Sequence, residues 1–184
     1  MKNPVTALRL PMRPGREYET RFDREQSTLK MLAIPIASVV LCSMLTTLPF
    51  LTTQPLLPPF GLMMMLAWRL MRSGLLPMWA GLPFGLVDDL FSGQPFGSAG
   101  LIWSLAMLVI ELVDTRAIWR DHIQNWFVAS VLIVLGLLGG LSIAGLAYAR
   151  PDALVLLPQI MLSILLYPLV VRICSHLDSW RLAT

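Results

Sequence analysis

The sequence has 184 residues, of which 56% are hydrophobic and only 14% are charged, whereas an ordinary soluble domain is about 25% charged. Its mean hydropathy is +0.69, and residues 1–30 contain seven of the 14 Lys and Arg residues. This composition excludes an ordinary water-soluble fold and predicts an all-α integral membrane protein that begins with a charged N-terminal tail.

Uncharged stretches recur along the chain, and a helix needs about 20 mostly apolar residues to span a bilayer. Three prolines, Pro55, Pro58 and Pro59, interrupt the first long stretch, so it predicts two helices. In chain order, the six predicted helices cover about residues 31–50, 59–68, 73–87, 90–110, 122–149 and 153–171. The predicted organisation is a cytoplasmic tail at 1–30, a six-helix membrane domain at 31–175 and a short cytoplasmic tail at 176–184.

The positions of the basic residues predict an orientation. Short cytoplasmic loops of membrane proteins are enriched in Lys and Arg. If the N-terminus lies in the cytoplasm, 13 of the 14 basic residues fall on the cytoplasmic side, and Arg150 alone falls outside. This distribution predicts an even number of spans, with both termini in the cytoplasm.

The sequence contains no pattern typical of a cofactor, metal or nucleic-acid site. The basic residues of the membrane domain do not cluster with aromatic residues on one amphipathic element, so the net charge of +3 does not indicate nucleic acid. Cys42 and Cys174 lie in apolar runs without CxxC spacing, and zinc motifs, phosphate-binding Gly-rich loops and cofactor fingerprints are absent. No hydroxyl nucleophile has a neighbouring base. These absences predict a protein that uses no cofactor or metal.

The segment 77–97 combines small and acidic residues in an apolar context, reading PMWAGLPFGLVDDLFSGQPFG. Gly81 and Gly85 form a GxxxG pair, which permits close helix packing in membranes. On a helical wheel, one arc of about 80° contains Pro77, Gly81, Gly85 and Asp88, with Asp89 at its edge. Acidic residues within a membrane segment are costly and face other helices or water. This pattern indicates ion handling or a polar helix contact, unless both carboxylates simply end helix three at the outer interface.

An intramembrane aspartyl peptidase would need two carboxylates from different helices at the same depth. The other acidic residue in an apolar run is Glu111, which falls near the cytoplasmic end of predicted helix four, opposite in depth to Asp88 and Asp89. We therefore disfavour a peptidase and expect Glu111 to pair with Arg116 or Arg69.

The segment from Gly85 to Gly97, within a six-helix chain of this orientation, resembles the bacterial rod shape-determining protein MreD family. The positions that carry the resemblance are Gly85, Asp89, Leu90 and Gly97, with Ser92, Gly93 and Pro95 in the same turn. The wheel favours Asp88, whereas the resemblance points to Asp89 and leaves Asp88 as an additional acid. The helical wheel and the resemblance together give the expected residues for helix packing or partner binding, which are Asp89, Asp88, Gly81, Gly85, Gly93, Pro95 and Gly97.

The resemblance also implies a function. It indicates a non-enzymatic scaffold in the bacterial inner membrane that binds MreC and supports lateral peptidoglycan synthesis and cell shape. Indirect partners would be MreB and the glycan polymerase and transpeptidase of the elongation machinery, with the lipid bilayer around the helices. The alternative is a substrate-binding membrane subunit of an energy-coupling vitamin transporter, a class of similar size, helix number and orientation.

Overall fold

The computed structural model describes residues 32–45, 57–116, 121–147 and 153–183, and this part of the chain contains six α-helices and no strand. In chain order they are α1 (Leu32–Met44), α2 (Phe60–Met71), α3 (Gly81–Ser92), α4 (Ser98–Arg116), α5 (His122–Ala147) and α6 (Leu157–Ala183). Short 3-10 helices precede α3 (Met78–Ala80) and α6 (Ala153–Leu156). The all-α prediction is confirmed, and the predicted N-terminal tail lies outside the described residues.

The helices fall into two length classes. Among the described residues, three segments are long and apolar enough to cross a membrane, namely Ser98–Thr115, His122–Leu146 and Leu154–Leu182. Helices α1 and α2 are apolar but shorter, and α3 has 12 residues. A helix of 12 residues is about 18 Å long, against about 30 Å for the hydrocarbon core of a bilayer. The six predicted helices therefore exist, but half of them are shorter than a full span.

Helix α2 forms the centre of the bundle. Every residue from Gly61 to Leu70 is buried, including the large side chains of Met63, Met65 and Trp68. A helix that is apolar on all sides must be covered on all sides. Residues from α1, α4, α5 and α6 supply that cover in one continuous hydrophobic core.

The predicted bounds of helices three and four were wrong. Residues 73–76 form a turn in which Gly74 has a φ of +95°, and Pro77 is extended with a ψ of 154°, so α3 starts only at Gly81. Pro77 therefore does not share a helix face with the glycines and the aspartates. Helix α4 begins at Ser98 rather than near residue 90, because α3 continues to Ser92 and a turn with two positive-φ glycines follows.

Helix α6 includes a proline and extends farther than predicted. It continues to Ala183, through residues that the sequence suggested as a C-terminal tail. Pro168 has no N–H, so the carbonyl of Ile164 loses its helical partner. The indole Nε1 of Trp126 on α5 lies 3.4 Å from this carbonyl oxygen and donates to it. A neighbouring helix thus satisfies the polar group that the proline frees, as apolar surroundings require.

Polar contacts at the two ends of the bundle give the relative helix directions. Near their C-terminal ends, α2 and α4 are joined by Arg69 and Glu111, and Arg72 joins α2 to Asp178 of α6. At the opposite end, Gln159 near the start of α6 donates to the carbonyl of Leu57, just before α2. Helices α2, α4 and α6 therefore run in the same direction, as alternating spans require.

Candidate functional site

The side chain of Asp89 is the best-coordinated acid in the described part of the chain. It is 4% exposed. Its Oδ2 accepts the backbone N–H of Gly97 at 2.8 Å, and its Oδ1 accepts the backbone N–H of Ala99 and the hydroxyl of Ser98, both at 3.0 Å. A longer bond of 3.4 Å comes from the N–H of Gly100. Both carboxylate oxygens are therefore satisfied by the start of α4.

This arrangement is a helix cap supplied by another helix. The first N–H groups of a helix have no partner within it and are usually bound by a Ser, Thr, Asp or Asn side chain at the N-cap. Here the residue before α4 is Gly97, which has no side chain, and its carbonyl accepts the N–H of Leu101 at 3.0 Å. Asp89 provides the missing acceptor from α3, and its negative charge is favourable at the positive end of the α4 dipole. The role of Asp89 in this geometry is to join α3 to α4.

The GxxxG pair faces α4 rather than an open surface. A Cβ added at Gly85 would lie 2.5 Å from the backbone nitrogen of Gly100, and one added at Gly81 would lie 2.6 Å from the carbonyl oxygen of Trp103. Real Cβ atoms do not approach backbone this closely, so any side chain would force the two helices apart. The two glycines thus allow the most extensive contact between described helices, that of α3 with α4.

The remaining predicted turn residues connect these helices. Gly93 ends α3 with a φ of +67°, and Gly97 has a φ of +94°, a region that L-residues with side chains rarely adopt. The carbonyl of Pro95 accepts the N–H of Ser98 at 3.0 Å. The turn therefore returns the chain so that Gly97 and the first residues of α4 meet Asp89.

Asp88 faces a different neighbourhood from Asp89. It is half-buried, and its carboxylate lies beside the Ser43 side chain of α1. Gly61 lies at the same junction, because a Cβ there would overlap Ser43 Oγ and would lie 3.2 Å from Asp88 Oδ1. The two adjacent acids thus contact different helices, Asp88 towards α1 and α2 and Asp89 towards α4.

Beside Asp88 lies a cavity of about 290 Å³ between α4, α5 and the start of α6. Its walls are mostly apolar, with Leu62, Ile102 and Leu137 among them. The polar side chains that line it are those of Asp88, Gln94 and Gln159. A few polar groups in an apolar cavity are typical of small-molecule sites.

At the opposite end of α4, a buried arginine meets two acids. The side chain of Arg69 is 5% exposed and forms ion pairs with Glu111 and, at 3.0 Å, with Asp114. Of the two partners predicted for Glu111, Arg116 and Arg69, the structure shows Arg69, whereas Asp114 was not predicted. Asp114 lies three residues after Glu111 and therefore on the same helix face, and this spacing could have predicted its contact with Arg69.

A second charged cluster, also missed from the sequence, surrounds Asp178 on α6. Arg72 and Arg181 both bind its carboxylate, at 2.8 and 2.7 Å, and the Arg181 guanidinium lies 5.7 Å from the centre of the Trp68 ring. Residues in the predicted C-terminal tail thus hold α6 against the end of α2.

Asp89 and Glu111, the acids considered for a peptidase, lie too far apart to form a catalytic pair. Asp89 contacts Ala99 at the start of α4, and Glu111 lies 12 residues farther along, about 18 Å away at 1.5 Å per residue. In the described ranges, no three His, Cys, Asp or Glu side chains come together as metal ligands would. The arrangement is that of a helix-packing site with one adjoining cavity.

The chain matches a known protein family. The family model of the rod shape-determining protein MreD covers residues 25–177, which include all of α1 to α5, most of α6 and the α3–α4 turn. Comparisons with curated proteins and with solved structures found no match. MreD is a family of shape-determining proteins rather than of known enzymes. With this match over most of its length and with three membrane-length apolar helices, the chain belongs to the rod shape-determining protein MreD family.

Proposed function

We propose that the chain is a scaffold of the cell-elongation complex in the bacterial inner membrane, where it binds MreC without catalysing a reaction. In this role it acts with MreB and with the glycan polymerase and transpeptidase during lateral peptidoglycan synthesis. The observation that carries the proposal is the family match over residues 25–177, which supports a role in rod shape determination. The long apolar helices are consistent with a location within a membrane.

The packing of α3 on α4 limits how the Gly and Asp residues of α3 can contribute to this function. Asp89 is saturated by bonds to α4, and Gly81 and Gly85 lie against the α4 backbone. None of these three residues offers a free surface to a partner. We infer that they act indirectly, by fixing the shape of the α3–α4 pair, while a partner contacts exposed side chains of the bundle.

Co-purification tests this function. MreC is expressed with tagged parent protein, with Asp89→Leu and with Asp88→Leu, and the amount retained is normalised to the tagged protein. We expect Asp89→Leu to lower MreC retention severalfold and Asp88→Leu to lower it less, because only Asp89 joins α3 to α4. If the parent retains no MreC, or if both variants retain as much as the parent, the proposed role is wrong.

The cytoplasmic location of both termini is part of the same proposal. The distribution of basic residues supports it, and so does the common direction of α2, α4 and α6. Alkaline phosphatase, which is active only outside the cytoplasm, is fused to either terminus or inserted at Gly93 in the α3–α4 turn. We expect inactive terminal fusions and an active insertion; the reverse pattern would overturn the orientation.

A second candidate function is small-molecule binding, as in the substrate-binding subunit of an energy-coupling vitamin transporter. The cavity lined by Asp88, Gln94 and Gln159 is the observation that favours it. Native mass spectrometry of the purified chain distinguishes the two functions. A bound molecule that is not a lipid, retained by the parent and lost in Asp88→Asn, would favour a transporter subunit. The scaffold function predicts no such molecule.

A further inference from the structure

A cleft separate from the Asp88 cavity lies near the opposite end of the bundle. It has a volume of about 710 Å³ and is open on one side, between the end of α2, the start of α5 and the second half of α6. We call it the α5–α6 cleft, and the side chains that define it here are those of Leu70, Asn125, Trp126, Tyr167, Val171 and Arg172. Its volume lies within the range of about 300–1,000 Å³ that is usual for ligand pockets.

The α5–α6 cleft is lined by both polar and aromatic side chains. His122 and Asn125 lie in the first turn of α5, and Arg172 lies on the antiparallel α6. Tyr167 lies five residues before Arg172, about 7.5 Å deeper at 1.5 Å per residue. Arg172 therefore lies towards the outer end of the cleft, and the aromatic ring of Tyr167 lies deeper towards the bundle centre.

Arg172 differs from the other arginines. The structure describes the side chains of Arg69, Arg72, Arg172 and Arg181, and three of them bind acids within the bundle. Arg172 is exposed, lines the cleft and forms no ion pair with any described acid. Asp121, just before α5, accepts the N–H of His122 and does not line the cleft. A positive charge thus faces the cleft uncompensated by the described residues.

We propose that the α5–α6 cleft binds an anionic phospholipid. The phosphate oxygens of the headgroup are bound by the Arg172 guanidinium, with the Asn125 amide as a second donor, and one acyl chain lies against Tyr167 and Val171. Guanidinium–phosphate contacts are strong charge-assisted hydrogen bonds, and basic pockets between membrane helices are known sites for anionic lipid headgroups. The charge of Arg172 selects the headgroup, whereas the apolar wall requires an acyl chain.

Lipid titration of the full chain tests the proposal. The purified, delipidated protein is titrated with dioleoyl phosphatidylglycerol or with dioleoyl phosphatidylcholine, and lipid adducts are counted by native mass spectrometry. The variants are Arg172→Gln, Arg172→Lys and the matched control Arg72→Gln, which removes a positive charge at the same end but outside the cleft. Arg172 is exposed, so its replacement leaves the core intact.

We expect the parent to bind phosphatidylglycerol more tightly than phosphatidylcholine. Arg172→Gln should weaken phosphatidylglycerol binding about five-fold, the effect of one basic residue near a membrane surface, whereas Arg172→Lys and Arg72→Gln should retain most of it. Equal binding of the two lipids, an unchanged Arg172→Gln variant or an equal loss in Arg72→Gln would overturn the proposal. Efficient competition by glycerol 1-phosphate, which has no acyl chain, would assign the cleft to a free phosphate compound instead.

Discussion

The carboxylate of Asp89 on α3 accepts a 2.8 Å hydrogen bond from the backbone N–H of Gly97, the residue that precedes α4. The same carboxylate binds the N–H of Ala99 at 3.0 Å. The start of a neighbouring helix therefore stabilises the charge of an acid within an apolar bundle, and no described basic side chain pairs with that acid. These hydrogen bonds and the close packing at the glycines hold the same two helices together.

Replacement of Asp89 should destabilise the α3–α4 pair. Asp89→Leu leaves at least two buried N–H donors unpaired, each at a cost of roughly 1–3 kcal/mol. We therefore expect the free energy of unfolding to fall by at least about 2 kcal/mol. Asp89→Asn keeps one acceptor oxygen and should lose less. Thermal unfolding in detergent measures both effects, with Asp88→Leu as the adjacent control. A larger loss for Asp88→Leu than for Asp89→Leu would contradict the cap.

A methyl group at Gly85 should separate α3 from α4. Its Cβ would lie 2.5 Å from backbone atoms of Gly100, so Gly85→Ala should cost about 1–3 kcal/mol through overpacking and lower the unfolding temperature. The matched control is Gly139→Ala on α5, where the Cβ would lie 3.6 Å from Ile102, an ordinary contact. Alanine is also the better helix former, so the control should be neutral or stabilising. Equal effects of the two changes would refute close packing at Gly85.

Removal of Arg69 should cost more than removal of Arg72. The side chain of Arg69 is 5% exposed and that of Arg72 is 44% exposed. Arg69→Gln leaves Asp114 and Glu111 without their shared cation, at a cost of roughly 3 kcal/mol, against about 1 kcal/mol or less for Arg72→Gln. The measurement is chemical unfolding of the purified variants.

Neutralising the acids provides an internal check on this prediction. The triple variant Arg69→Gln, Glu111→Gln, Asp114→Asn should recover part of the stability lost in Arg69→Gln, because no uncompensated charge remains. If the triple variant is less stable than the single variant, the loss comes from packing rather than from charge.

The contact between Trp126 and the proline-containing part of α6 predicts a non-additive pair of mutations. Trp126→Phe removes the indole donor to the Ile164 carbonyl. We expect the loss of this hydrogen bond to lower the free energy of unfolding by about 1 kcal/mol, in addition to the effect of the smaller ring. In a Pro168→Ala background, the residue 168 N–H can bind that carbonyl, so Trp126→Phe should cost less there. A double-mutant cycle by thermal unfolding measures the difference. Additive effects would show that the indole does not serve this carbonyl.

The helix content and several contacts of this chain follow from one-dimensional patterns. Uncharged runs separated by proline and charge predict six helices, since both features are costly in a membrane interior, and six are present in the described residues. The sequence suggested Arg116 or Arg69 as the partner of Glu111, and the structure pairs Glu111 with Arg69. The start of α3 does not follow from the sequence pattern. The residues before it form a turn at Gly74 and an extended segment at Pro77, and hydropathy alone does not distinguish these from a helix.

The sequence by itself determined the membrane class, the number of helices and the Gly–Asp segment. These features depend on the free-energy cost of placing charges and unpaired backbone polar groups in the interior of a bilayer. Only the tertiary structure decided which of two adjacent acids is buried. Successive helical residues point about 100° apart, so Asp88 and Asp89 face different helices. The start of α4 lies beside Asp89, while Ser43 and a cavity lie beside Asp88. The spacing of residues within α3 does not show which hydrogen-bond donors another helix places beside each acid.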